Sequence, residues 1–269
     1  MKIKRSFLLA AGLAALCGSA GSVSLGGEAR SLLYVSVQGG QAGGGDEKSG
    51  GLVEVRQEGD AIGGLRLLNE APLLQPYKMA GSASGELIAL ATGDKEEPAV
   101  HLFRRGQGAA GHAALKGAVS DLAFAGEALV VAASKGMFYR INGEGAIEAE
   151  FSARKLLTPP GRKGEHIRVL SEGDRAVVSF QKDDDDSEAR GNRLVAIDLA
   201  KFQPVADVAL PRDKPELHLD GDPKEQGPGP EVIVVFPDID TLAVSLDLYG
   251  GILFCSLEGV LKGELREAT

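Results

Sequence analysis

Four consecutive aspartates, Asp183 to Asp186, followed by Ser187 and Glu188, are the first residues in this chain whose types and spacing suggest chemistry. Clustered carboxylates suit a hard divalent cation such as calcium, which takes its ligands as oxygens. The spacing does not complete such a site. An EF-hand loop closes on a bidentate Glu at its twelfth position, and the twelfth residue counted from Asp183 is Leu194. The run reads as a solvated charge cluster, and Asp220-Gly221-Asp222 as a weaker pair of the same kind.

Gly106, Gly108 and Gly111 match the dinucleotide fingerprint letter for letter. That fingerprint works where a buried strand ends and a crossover helix begins, so that pyrophosphate meets the helix N-terminus. Here Arg104 and Arg105 precede it and Gly117 follows closely, which predicts a turn between two strands. His101, His112, His166 and His218 lack metal-ligand spacing and read as surface or strand-end residues. Glu165, His166 and His218 border long loops, so they are the first places where a convergent site would form. The matches Ser152 to Lys155 and Ser179 to Lys182 sit in loop or strand contexts, unlike the helix their chemistry requires, and no Gly-x-Ser-x-Gly elbow exists. The sequence therefore assigns no catalytic, cofactor-binding or metal-binding residue, and no cofactor.

The elements that must position any site are strands. Of 269 residues, 37 are Gly, 43% are hydrophobic and none is Trp, a composition that supports a core and many turns. Short runs such as SLLYVSV (31–37), ELIALAT (86–92), ALVVAAS (128–134), RLVAIDL (193–199) and VIVVF (232–236) are bounded by Gly, Asp, Asn or Pro. Past the first twenty residues no helical stripe is evident. Residues 119–151 align on 232–265, pairing Phe124 with Phe236, Leu129 with Leu242 and Gly136 with Gly251. The same order of signals fits 78–115 and 167–210, while 31–68 shows only the last three strands of the unit. A repeat of about forty residues, each of four short strands, predicts an all-β chain built as a β-propeller of four-stranded antiparallel blades, because radial stacking buries sheet faces that one unit leaves open. Five units are visible; six or seven remain open, as does the source of the first unit's missing strand, for which Val23 to Leu25 is one option.

LLYVSV, its Gly-rich loop and GLVEV, together with NRLVAIDLAKFQPVADVAL, resemble the repeats of YVTN-type and lactonase-like β-propellers over nearly all of 31–266. The resemblance implies the fold. It does not carry an activity, since the His-rich strings of the lactonase-like enzymes are missing, as are the Gly-His and Trp-Asp marks of WD40-like repeats.

Residues 1–20 read as a signal peptide: Lys2, Lys4 and Arg5, then an apolar stretch from Phe7 to Leu16, then Gly18-Ser19-Ala20. Export to the periplasm or medium is expected, with 21–30 a short lead-in and 31–269 the propeller domain. Leu16 before Cys17 argues against lipid anchoring, and the apolar stretch is too short to span a bilayer. The net charge is −9 and falls to −12 once Lys2, Lys4 and Arg5 leave, which disfavours nucleic acid. Cys255 would be the one remaining thiol, and its setting in ILFCSL predicts burial. Loops between second and third strands, and between units, hold nearly all the excess length and emerge on one rim. Those at 38–51, 92–98 and 181–192 carry Asp46, Glu47, Asp94, Glu96, Glu97, Asp183 to Asp186 and Glu188. The expectation is a non-catalytic binding scaffold with this acidic rim facing a protein or other cationic ligand. The alternatives are a lactonase-like or sugar-processing enzyme, and an accessory subunit of a periplasmic redox enzyme.

Overall fold

The computed structural model describes residues 30–38, 49–58, 61–71, 73–93, 97–153, 163–170, 173–181, 192–211, 228–247 and 250–268. Within them the strands form five antiparallel sheets in chain order. The first holds β1 (Arg30–Gln38), β2 (Ser49–Glu58) and β3 (Ala61–Leu67), with the short β4 (Leu73–Leu74) beside the start of β2. The second holds β5 (Lys78–Gly81), β6 (Leu87–Thr92), β7 (Ala99–Arg104) and β8 (Gly108–Ala114). The third is β9 (Val119–Ala125), β10 (Ala128–Ala133), β11 (Met137–Ile141) and β12 (Ile147–Ser152). The fourth is β13 (Lys163–Val169), β14 (Arg175–Gln181), β15 (Arg193–Asp198) and β16 (Gln203–Ala209). The fifth is β17 (Pro230–Phe236), β18 (Thr241–Leu246) and β19 (Gly251–Ser256), followed by the one-turn helix α1 (Leu257–Leu261). These are the blades of a β-propeller.

Burial explains why some strands are uniformly apolar. Every residue of β6 is buried, and so is nearly every residue of β10 and β15. Such a strand has neighbouring sheets on both faces, so alternation would place polar groups in a core. The fourth strands alternate instead, as β16 does with Val205 and Ala209 outward and Val208 inward.

The first sheet lacks an innermost strand among the described residues. Leu68 N–H donates to Leu52 O at 2.8 Å, just as Leu115 donates to Pro98 O and Leu210 to Asn192 O. That shared bond equates β3 with β8 and β16, so β1 to β3 are strands two to four of their blade. The fifth sheet departs from expectation at its outer edge. Where the sequence suggests a tight turn at 257–259 and a fourth strand, the chain turns through α1 and returns in a single bridge between Cys255 and Glu267.

Strand registers also correct two residue pairings between units. Closing pairs Ala125 with Ala128 and Phe236 with Thr241 make Phe124 the equivalent of Val235, not of Phe236. Leu129 and Leu242 do correspond. In the same frame Gly251 matches Met137, so Gly250, not Gly251, corresponds to Gly136. A one-residue slip moves a side chain to the opposite face of a sheet.

Each hydrophobic cluster is shared by consecutive sheets. Leu52 and Leu68 meet Ile88, Leu90 and Phe103; Val100 and Leu102 meet Leu129 and Tyr139; Phe138 and Val130 meet Ile167, Val178 and Phe180; Val177 and Leu194 meet Leu242, Val244 and Cys255. Among the described residues no such cluster joins the fifth sheet to the first.

Polar side chains lock these seams. Tyr77 Oη both donates to Val119 O and accepts from Val119 N–H, at 3.0 and 2.7 Å, tying the second sheet to the third. Asp121 Oδ2 accepts from Ile167 N–H at 2.8 Å and Arg140 Nη1 donates to Leu199 O at 2.7 Å, tying the third to the fourth. Between the fourth and fifth, Ser179 Oγ donates to Glu231 O at 2.6 Å and Asn192 Oδ1 accepts from Gly229 N–H at 2.7 Å.

Candidate functional site

First strands are the innermost strands of their blades, and β5, β9, β13 and β17 contact one another in succession. They bring together the only His–carboxylate ion pair among the described residues. His166 lies on β13 and Asp121 near the start of β9, with Nε2 to Oδ2 at 3.8 Å; their side chains are 15% and 12% exposed. Arg168, two residues further along β13, faces the same charge field, and Lys78 at the start of β5 also bears on it. This cluster near the axis brings charged and titratable side chains of three separate blades together.

Its hydrogen bonds decide what it can do. His166 Nδ1 accepts from Ile233 N–H at 3.0 Å, which puts the imidazole proton on Nε2. Nε2 is too far from Asp121 Oδ2 for a hydrogen bond. Burial pulls the His166 pKa down to about 4, against the pull of Asp121 in the other direction, with Arg168 and Lys78 lowering it further. A neutral imidazole whose lone pair is held by a backbone amide offers no base to a substrate. Asp121 Oδ2 is likewise engaged with Ile167 N–H. Burial also pulls the Arg168 pKa down, with Asp121 opposing. The cluster is a clamp across three blades.

Residues singled out from the sequence fall as follows. His166 belongs to the body of β13 rather than to a loop, because the strand begins at Lys163, and Glu165 occupies the bulge between Gly164 and His166. Ser179 is fully buried in β14 and donates to Glu231 O, a seam contact rather than a nucleophile. His101 and His112 form a cross-strand stacked pair with centroids 5.9 Å apart, and burial, then His112, lowers the His101 pKa. Gly106 and Gly108 hold positive φ in the β7–β8 turn, and a Cβ on Gly111 would sit 2.0 Å from Glu144 O. The glycine pattern therefore serves a turn and a close backbone approach between blades. Glu97 is exposed on the rim, whereas Asp46, Glu47, Asp94, Glu96, Asp183 to Asp186, Glu188, His218, Asp220 and Asp222 lie outside the described residues, as do residues 1–29. Among the described residues no group of three or more His, Cys, Asp or Glu is placed to hold a metal ion, and no helix is long and apolar enough to cross a membrane.

Two features escape a reading of the sequence. Asp121 sits in an unremarkable VSDLAF string, and only the meeting of β9 with β13 gives it a partner. A groove of about 600 Å³ opens on the opposite rim, floored by Leu170, Val235, Leu257 and Leu261. Its charged edge includes Glu258 and Lys262, which pair with each other along α1.

No protein-family model matches the sequence, and no curated protein matches it. Solved structures do. Hydrazine synthase of Kuenenia stuttgartiensis superposes with a TM-score of 0.52 at 17% identity, over 74% of this chain and 50% of that one. A candidate 6-phosphogluconolactonase of Bacteroides fragilis gives 0.57 at 14%, over 88% and 66%. A chain of the mitotic checkpoint complex gives 0.51 at 8%, over 77% and 58%. The chain thus spans from half to about two thirds of the structures it resembles. Identities this low carry the propeller fold, and they do not single out the YVTN-type family.

Proposed function

We propose that this protein is an exported, non-catalytic β-propeller that binds a partner through the acidic rim formed by its second-to-third strand loops and inter-blade loops. The observation that carries the reading is the engaged state of the axial cluster: both His166 Nδ1 and Asp121 Oδ2 are taken by backbone amides of the next blade. These two bonds support reading the axial cluster as a seam between blades. The ends of β6 and β7, and of β14 and β15, bracket acidic stretches on one rim. A dense negative field there favours a cationic protein face and disfavours phosphate-bearing ligands.

The test reads binding and catalysis separately. Replacing Asp183, Asp184, Asp185 and Asp186 by Asn should at least halve the recovery of partners identified by mass spectrometry from the exported fraction, and added salt should do the same to the wild type. Unchanged recovery with all four replaced refutes the rim. Hydrolysis of a lactone panel abolished by Asp121→Asn, in a variant that remains folded, refutes the non-catalytic reading.

A further inference from the structure

The fifth blade presents an uncovered apolar face. Val232, Val234 and Phe236 on β17 are 41%, 44% and 43% exposed, and Ile252 and Phe254 on β19 are 58% and 53% exposed. Registers Val234 with Ala243, Ala243 with Phe254 and Ser245 with Ile252 put these side chains on one face, opposite the core residues Ile233, Val244, Leu253 and Cys255.

In the other blades the corresponding face is covered by the next sheet. The third blade shows the equivalence residue by residue. Counting from the β9–β10 and β17–β18 closing pairs, Ile252 stands where Phe138 stands, Phe254 where Arg140 stands, and Val232 where Asp121 stands. Phe138 is fully buried under the fourth blade, and Asp121 and Arg140 are the polar locks that engage that blade's backbone. The fifth blade keeps the apolar part of the face and replaces both locks with Val and Phe. Ser245, the polar residue at its edge, accepts from Val232 N–H within its own sheet. A face that continues the internal interfaces without their backbone-seeking groups fits a second sheet that is itself apolar and uncharged, such as the same face on another copy.

We infer that two copies associate through these faces about a two-fold axis, sheet on sheet, with Ala243 near the centre. An isologous contact places Val, Ile and Phe against Val, Ile and Phe, with no charged group of the face left unpaired. The five side chains expose on the order of 400 Å² per copy, given 150–250 Å² for a whole aromatic residue. Ile239 at the edge, 66% exposed, extends the patch. Two such faces bury about 800 Å² together, below the range of stable interfaces, so the dimer is weak and reversible and forms only at high protein concentration. Because both copies are acidic, added salt screens their repulsion and tightens the dimer.

Sedimentation velocity on the purified protein, its N-terminus read by mass spectrometry, tests this between about 5 µM and 500 µM. The expected result is a concentration-dependent monomer–dimer equilibrium that strengthens with sodium chloride. Phe254→Arg should give a monomer throughout, with an unchanged circular dichroism spectrum; if that variant misfolds, Ile252→Arg takes its place. Leu67→Arg, in the exposed face of the first blade, should leave the dimer intact. Ala243→Cys should form a disulfide between copies on mild oxidation. A wild-type monomer at every concentration overturns the inference, as does dissociation by Leu67→Arg, which would mean a head-to-tail contact, or open-ended oligomers. Partner recovery through the acidic rim is read on other residues, so either proposal can fail alone.

Discussion

His166 is of a type that often does chemistry, and in this fold its Nδ1 holds a backbone amide of the next blade. Its lowered pKa of about 4 gives a pH signature with a definite sign. Between that value and about 6.5, the unfolded chain takes up a proton that the native state refuses, so stability is complete above about pH 6.5 and is lost as pH falls toward 4. Protonation of Nδ1 also removes the acceptor for Ile233 N–H. The loss expected for this residue is on the order of 1 to 3 kcal/mol. His101, lowered in the same direction, adds to the slope. Thermal melts of His166→Asn, whose side-chain oxygen can replace Nδ1 as acceptor but does not titrate, should show a shallower decline between pH 6.5 and 4.5 than wild type. An identical slope would mean that another group carries the acid sensitivity.

Elements were legible in the sequence where both faces of a strand are buried. ALVVAAS and RLVAIDL lie on β10 and β15 almost residue for residue, because a strand packed between two sheets must be apolar throughout. Legibility failed where position, not composition, sets the strand. β13 reads KGEHIRV, and only its second half passes for strand in the sequence; 163–165 pass for loop, yet they are held in the sheet by pairing with β14 and by their neighbours along the axis. The pairing of Phe124 with Phe236 failed by one residue because the 3-10 turn Pro237–Ile239 lengthens one hairpin relative to the other. The fingerprint-like glycines belong at this scale too. A methyl group on Gly111 would collide with Glu144 O in the β11–β12 hairpin, so Gly111→Ala should cost about 2 kcal/mol or more in urea unfolding. A neutral outcome would show that the two hairpins can separate at no cost.

At the scale of the whole molecule, stability is a sum of seams between neighbouring blades. Central blades are clasped on both faces, whereas the first and fifth each expose one, with Leu65 and Leu67 at 72% and 58% on the first. Nearest-neighbour stacking of this kind predicts a graded response, with end units opening before central ones. Hydrogen exchange should find amides of β10 and β14 protected longest, and those of β3 and β19 exchanging sooner. Uniform protection across all five blades would show that the end faces are covered in solution. Phe138→Ala, at the seam between the third and fourth blades, should cost about 3–5 kcal/mol. The candidate site was less legible than the fold for the same reason that makes these seams strong: Asp121 and His166 are 45 residues apart in sequence and meet only when two blades close on each other.

Cys255 sits on the inner side of the fifth blade, fully buried, its thiol pushed up to about 11 by desolvation and by Asp240. A sulfur so sealed reacts only when that wedge lifts away from its neighbour. The protein therefore carries a built-in clock: the speed at which a maleimide marks Cys255, read by peptide mass spectrometry, counts openings of the terminal seam with no label engineered.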